Sequence, residues 1–373
     1  MNITVIGGGN LGTALAGEFA TKGHKVILYS TKAKMFNGRI IITEDDREYV
    51  SEPFSVTENL QQAVCNNTAS LIIITVPANG LRKIAEEMLL YIHPESILLF
   101  MPGTGGVEYI FSEYIRRGIV LLGLQRIPAV YRLIERGKAV RVSGRRKSSL
   151  FLGGIPSKEA EKYAPVLSEM FGMECGALPN YLNVTLTPSN PILHTSRLYS
   201  MFRDYTEGMF YDRNILFYQE WDDLSSDILL KCDGELQSLL RKIPELDLSY
   251  VRSLKEHYES NTKSEMTYKI SHIRSFSGIT SPMLEIEPGK WIPDFNSRYF
   301  TADFPYGLAI IKGLAVIFET AVPTIDTVLK WYCSVTEQEY YEGDIFSGRD
   351  LNCTGAPQKY GFTAKNAIVS IYE

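Results

Sequence analysis

At 373 residues the chain exceeds any disulfide- or metal-stapled miniprotein and accommodates about two domains, each with its own core. With 45% hydrophobic and 22% charged residues and no biased tract, it carries enough apolar surface to fold throughout, which excludes a disordered chain. A formal charge of -5 gives no footing for sequence-independent nucleic-acid binding; the positive field, 18 basic against 13 acidic residues, lies within the first 150 positions and suits a small anionic ligand.

Taken in order, Ile3 to Ile6 reads as an apolar strand, followed by a glycine turn, a helix to about Lys22 and a second strand at Lys25 to Tyr29. Further short apolar strands are predicted at Leu71 to Val76, Ile97 to Phe100 and Ile119 to Leu122, separated by helical stretches. That alternation means a parallel sheet covered on both faces. Gly38 to Val56 reads as a hairpin excursion, and Tyr131 to Gly153 as further strands with a solvated basic turn at Arg145, Arg146 and Lys147. A last helix–strand unit runs from Lys158 to Phe171 and from Glu174 to Leu178. From Pro191 onward the pattern is helical, with long stretches at Asp222 to Arg241 and Pro305 to Tyr332. The expected architecture is an α/β Rossmann-type dinucleotide-binding domain over residues 1–180, then an all-α domain over 181–373.

Gly7, Gly9 and Gly12 stand in the string GGGNLG, directly after a strand and before a helix. The first glycine permits the tight turn, the second lets the backbone approach a pyrophosphate, and the third lets helix and strand pack closely. The intervening Asn10 and Leu11 open a helix whose N-terminus offers free N–H groups to phosphate. An NAD-selective site would place a carboxylate about 20 residues further on. Here Ser30, Thr31 and Lys32 stand instead, a set that suits a 2′-phosphate and favours NADP while leaving NAD open. Val76 and Pro77 end a strand beside the expected nicotinamide, and MPGTGG at 101–106 ends the next strand in the same way.

Of the five histidines, His24, His93, His257 and His272 lie in turns or polar surroundings. His194 differs: Asn190 and Pro191 read as N-cap and first helical residue, which places His194 in the first turn, where a helix N-terminus favours the neutral ring. Asp303 precedes Pro305 at the start of another apolar helix and is the candidate to orient that ring. Arg298 is the candidate to grip a substrate carboxylate. Five scattered cysteines, with no CxxC pair, argue against a disulfide framework and against a metal site. The first 17 residues lack the basic segment of a secretory signal, and the apolar run Gly307 to Pro323 is broken by Lys312 and Glu319 and is too short for a membrane span. A cytoplasmic protein without membrane partners is expected; the oligomeric state stays open, a homodimer included.

With GGGNLG, SNPILH at 189–194, RYFTADFPYGL at 298–308, PTIDTVLKW at 323–331 and GAPQKYG at 355–361, the chain resembles the octopine/nopaline (opine) dehydrogenases. The resemblance implies a second domain of the 6-phosphogluconate-dehydrogenase-like helical type. It also implies NAD(P)H-dependent reductive condensation of an amino acid with an α-keto acid, with His194 and Asp303 as the catalytic pair and Arg298 on a substrate carboxylate. From the residues themselves, Asn190 is expected to bind substrate, to position the ring or to cap its helix. Two positions depart from the family pattern: Ala302 replaces a glutamate before the aspartate, and Tyr131 replaces a cysteine before Arg132. Two other readings compete. A ketopantoate-type or 3-hydroxyacid dehydrogenase would need a lysine early in the helical domain, and none stands between Lys162 and Lys231. A dinucleotide-binding sensor without chemistry would share the fold.

Overall fold

The computed structural model describes residues 1–65, 71–146 and 148–373. The chain divides into two compact units, residues 1–185 with 369–373 and residues 186–368. Lys147 of the expected basic turn lies outside the described residues.

The first unit opens with β1 (Asn2–Ile6), α1 (Asn10–Thr21) and β2 (Lys25–Tyr29), then the hairpin β3 (Ile41–Glu44) and β4 (Arg47–Val50), then β5 (Ser55–Thr57). It continues through α2 (Leu60–Cys65), β6 (Leu71–Ile74), α3 (Ala78–Met88), β7 (Ile97–Phe100), the short helices α4 (Val107–Ile110) and α5 (Ser112–Arg116), and β8 (Val120–Leu124). Strands β9 (Ala129–Glu135), β10 (Ala139–Arg145) and β11 (Leu150–Ile155), helix α6 (Glu159–Phe171), β12 (Cys175–Ala177) and α7 (Leu182–Thr185) complete it. Eight strands form one sheet in the order β12-β11-β8-β7-β6-β1-β2-β5. It is parallel except where β11 runs antiparallel to β8, the one departure from the expected all-parallel sheet. Chain order reverses between β1 and β6, so the carboxyl ends of those two strands mark the point where an open α/β sheet receives its ligand.

A second sheet, β4-β3-β10-β9, is built from the excursions read in the sequence. Its Ile42 side chain reaches Gly17 of α1, and residues 12–20 of that helix are all buried. A helix covered on every side must be apolar all round, which is why its residues repeat Ala, Leu, Gly and Phe with little polar face. Its one buried charge, Glu18, is paired with Arg145 at 2.7 Å, and Arg145 also binds Glu44 at 2.9 Å. The expected turn is corrected at Arg145, which ends β10 and, though exposed, also serves as the cation partner that a carboxylate buried in α1 needs. Tyr131, one of the departures from the family pattern, points its hydroxyl at the same carboxylate, at 3.4 Å.

The second unit comprises α8 (Ser189–Phe202), α9 (Asp223–Leu240), α10 (Leu254–Tyr258), α11 (Lys263–Ser271), α12 (Arg298–Thr301), α13 (Ala309–Ile317) and α14 (Pro323–Thr336). It also holds a two-stranded hairpin, β13 (Met283–Glu287) with β14 (Lys290–Pro293), so it is mainly but not wholly helical. The long helix expected from Pro305 to Tyr332 is three pieces. Phe304–Leu308 forms a π-helical turn, α13 stops before Glu319, whose φ of 53° is left-handed, and Pro323 starts α14. The 20-residue run Arg298–Ile317 is long and apolar enough to count as a candidate membrane span, but 67% of its apolar window is buried inside the protein.

Candidate active site

In the first unit the glycine turn is fixed from below. The Thr75 hydroxyl, just past β6, donates to the carbonyls of Ile6 and Gly7, at 3.0 and 3.2 Å. Gly7 has φ of 119°, and a methyl on Gly12 would lie 1.8 Å from the Gly7 carbonyl oxygen, so neither position accepts a side chain. Gly9, by contrast, faces open space and is exposed at the start of α1. That combination, a tight turn beneath and free backbone N–H groups above at the mouth of a 12-residue helix with no acid in its first turn, fits a pyrophosphate. Leu11 is half-buried, and the Asn10 side chain is engaged elsewhere, accepting from the Leu133 N–H at 3.1 Å. Arg136, in the β9–β10 turn, donates to the Gly8 carbonyl at 3.1 Å and adds a cation at the loop that sequence spacing does not signal.

The three residues after β2 divide. Ser30 is buried under Gly8, and its hydroxyl accepts from the Lys32 N–H, so it shapes the turn. Thr31 and Lys32 are exposed, and no carboxylate stands among the three. Val76 is half-buried against Gly7, and Pro77 is exposed as the N-cap of α3. In MPGTGG, Gly103 has no room for a side chain against Gly123 and Tyr181, and the segment turns into α4 through Gly105 and Gly106, both with positive φ.

In the second unit the two candidates separated by 109 residues meet: His194 Nδ1 lies 2.8 Å from Asp303 Oδ2, with both side chains mostly buried. A carboxylate only accepts, so Nδ1 carries the hydrogen and Nε2 of the neutral ring has the free lone pair. That lone pair accepts from the Tyr218 hydroxyl at 2.9 Å. The rings of Tyr299 and Phe217 stand edge-on to the imidazole, at 4.8 and 5.7 Å.

Helix α8 begins two residues earlier than expected, at Ser189, with Pro188 before it. Asn190 is thus inside the first turn and exposed rather than the N-cap, Pro191 still costs no hydrogen bond there, and His194 falls in the second turn. The Asp303 contact, not the helix terminus, therefore sets the ring's tautomer. Asp303 does not cap the π turn that follows it. Within that turn, Gly307 allows Pro191 to approach so closely that an added methyl would sit 2.9 Å from the proline side chain. This close approach brings the aspartate's segment against the histidine's helix. Arg298 is exposed at the first residue of α12, five residues before Asp303.

Sequence reasoning missed Thr75, Arg136, Arg197, Tyr218 and Tyr299. Tyr299 sits inside the RYFTADFPYGL string and Thr75 ends a strand beside Val76, so position offered a hint for those two. Tyr218 and Arg197 carry no local pattern.

Residues 177–336 match the family described as NAD/NADP octopine/nopaline dehydrogenase, alpha-helical domain, and residues 2–113 match the NAD-dependent glycerol-3-phosphate dehydrogenase N-terminus. An opine dehydrogenase of Haliotis discus hannai is 31% identical, over 81% of this chain and 78% of that protein. A tauropine dehydrogenase of Arabella iricolor is 26% identical over 98% of this chain and 99% of that protein. An octopine dehydrogenase solved with NADH and L-arginine superposes with a TM-score of 0.87 at 24% identity, covering 100% of this chain and 98% of that one. The chain belongs to the opine dehydrogenase family, NAD(P)-dependent oxidoreductases that act on CH–NH bonds by reductive condensation of an amino acid with an α-keto acid.

Proposed function

We propose that this chain uses NADPH in preference to NADH, with the His194–Asp303 pair handling the proton of the reacting nitrogen and oxygen. The 2.8 Å contact between those two side chains carries the acid–base part of the reading, and exposed Thr31 and Lys32 with no carboxylate beside them support the NADPH preference. When bound, the cofactor supplies a hydride. Gly7, Gly9, Gly12 and the backbone of Asn10 and Leu11 would hold its pyrophosphate, Thr31 and Lys32 a 2′-phosphate, and Val76 and Pro77 the edge of the nicotinamide. Asp303 keeps the hydrogen on Nδ1, so Nε2 is the basic atom, and it stabilises the imidazolium while the ring is protonated. Arg298 is the carboxylate anchor, and Asn190, exposed in the first turn of α8, is the second substrate-binding residue. A reducing, cytoplasmic setting belongs to the same reading, supported by five cysteines, all unpaired, two of them exposed.

The test is oxidation of NADPH, and separately of NADH, by a pool of α-keto acids with and without a pool of amino acids. Oxidation that needs both pools is expected. Oxidation by keto acids alone would make this a hydroxyacid dehydrogenase, and binding without turnover would make it a sensor. Lys32→Asp is expected to lower kcat/KM for NADPH about 10- to 100-fold, the worth of one charge-assisted contact, while changing NADH little. An equal effect on both cofactors would overturn the assignment of Lys32 to the 2′-phosphate.

A further inference from the structure

Both in-plane sites of the His194 ring are taken. Asp303 holds Nδ1 at 2.8 Å and the Tyr218 hydroxyl holds Nε2 at 2.9 Å. An imidazole nitrogen has one lone pair or one hydrogen in the ring plane, so a substrate atom cannot share Nε2 with Tyr218. Either Tyr218 leaves, or the proton passes through it.

The surroundings decide between these. Tyr218 is 6% exposed, and its ring is stacked on Phe276 at 4.2 Å with 23° between planes. The backbone on either side is gripped by Arg197, which lies one turn beyond His194 on the same helix and is itself 2% exposed. Arg197 Nε donates to the Phe217 carbonyl at 2.9 Å and an Nη to the Glu220 carbonyl at 2.6 Å, while the other Nη reaches the Ser225 hydroxyl at 3.0 Å. The Phe217 N–H bonds the Ile279 carbonyl at 2.8 Å, tying the segment to the chain that carries Phe276. A buried guanidinium is expensive to place, and here its donors go to fixing one short segment. One helix thus supplies both the imidazole and the clamp that holds a hydroxyl against it. A tyrosine meant to swing aside would not be held in this way.

We infer that Tyr218 is the third member of an Asp303–His194–Tyr218 proton relay, the group through which His194 exchanges its proton with substrate. This rests on the function proposed above. As the amino acid's ammonium gives a proton to Tyr218 Oη, the hydroxyl passes its own proton to Nε2, and Asp303 holds the resulting imidazolium. The freed amine forms the N–C bond as the keto C=O π bond opens, and one further proton moves from nitrogen to oxygen within the adduct. The relay then runs backward: Nε2 returns its proton to Oη and Oη gives one to the adduct hydroxyl. The C–O bond breaks, water leaves, and the C=N⁺ bond that forms accepts the hydride. Burial pushes the Tyr218 hydroxyl well above its usual range, so it donates and accepts together without resting as phenolate.

Tyr218→Phe keeps the ring and its stacking on Phe276 and removes only the hydroxyl. The expected result is a fall in kcat of about 100-fold, with KM and cofactor affinity changed little. The double variant His194→Ala with Tyr218→Phe should be no slower than His194→Ala alone, since members of one relay fail together. Undiminished or raised kcat in Tyr218→Phe, or multiplicative losses in the double variant, would overturn the relay and make Tyr218 a bystander or a plug. Nitrogen NMR of His194 in the cofactor-free protein gives a second readout that needs no turnover. The Nε2 resonance should move on loss of the Tyr218 hydrogen bond, and an unchanged resonance would overturn the contact. A wild-type protein that consumes no NAD(P)H while showing that shift would sink the proposed reaction and uphold the contact.

Discussion

His194→Asn is expected to lower kcat for the two-substrate reaction by about 10³-fold, within the span for loss of a positioned acid–base group, while the dissociation constant for NADPH stays within about twofold. The division of the chain gives the reason for that split. The glycine turn belongs to the unit of residues 1–185, whereas His194 and Asp303 belong to residues 186–368. Asp303→Asn should be nearly as damaging at almost unchanged volume. An amide facing Nδ1 can present its NH₂, which turns the ring over to the Nε2–H tautomer and removes the base from the atom that needs it. Steady-state kinetics with both substrates, paired with fluorescence titration of the cofactor, would check this. A loss below about fivefold in either variant, or a matching loss of cofactor affinity, would show that this pair is structural rather than chemical.

Features encoded locally were legible in the sequence; those made by distant pairing were not. GGGNLG needs only the strand before it and the helix after it, and all three lie within residues 2–21. The short β-rich runs likewise announced themselves through period and length. Helix α8 was placed two residues late, because Asn190-Pro191 is the stronger start signal on paper while Pro188 and Ser189 start the helix in fact. The pairing of Arg145 was missed because Glu18 is 127 residues away, and no local rule links this exposed arginine to a helix carboxylate. The same blindness hid Tyr218: nothing in its neighbours distinguishes it from other aromatic residues, and it gains meaning only once Arg197 has bound the carbonyls on both sides. The meeting of His194 and Asp303 was expected through family resemblance, whereas spacing alone left each as an ordinary helix-start residue.

Stability is expected to fall as pH rises from about 5 to 8, and Glu108→Gln should remove most of that dependence. Glu108 is fully buried in α4, immediately after the glycines of MPGTGG. One carboxyl oxygen accepts from the Thr185 and Tyr372 hydroxyls, at 2.7 and 2.8 Å; the other has no hydrogen-bond partner among the described residues. Burial raises its pKa from 4.5 to about 7, against the opposing pull of the Thr185 and Tyr372 hydrogen bonds. The folded protein thus binds this proton more tightly than the unfolded chain does. The advantage is fully present below about pH 4.5, declines as the unfolded carboxyl ionises while the buried one stays protonated, and is gone above about pH 7. A shift of that size corresponds to roughly 3 kcal/mol, a substantial part of a typical domain's margin. The glutamine amide stays neutral throughout, so the variant should gain on the wild type by about that amount between pH 5 and pH 8. Urea unfolding at the two pH values measures it directly, and parallel pH dependence in both proteins would show that another group titrates. Tyr372→Phe should act in the opposite sense at pH 8, since it strips one of the two hydrogen bonds that hold the ionised form in place.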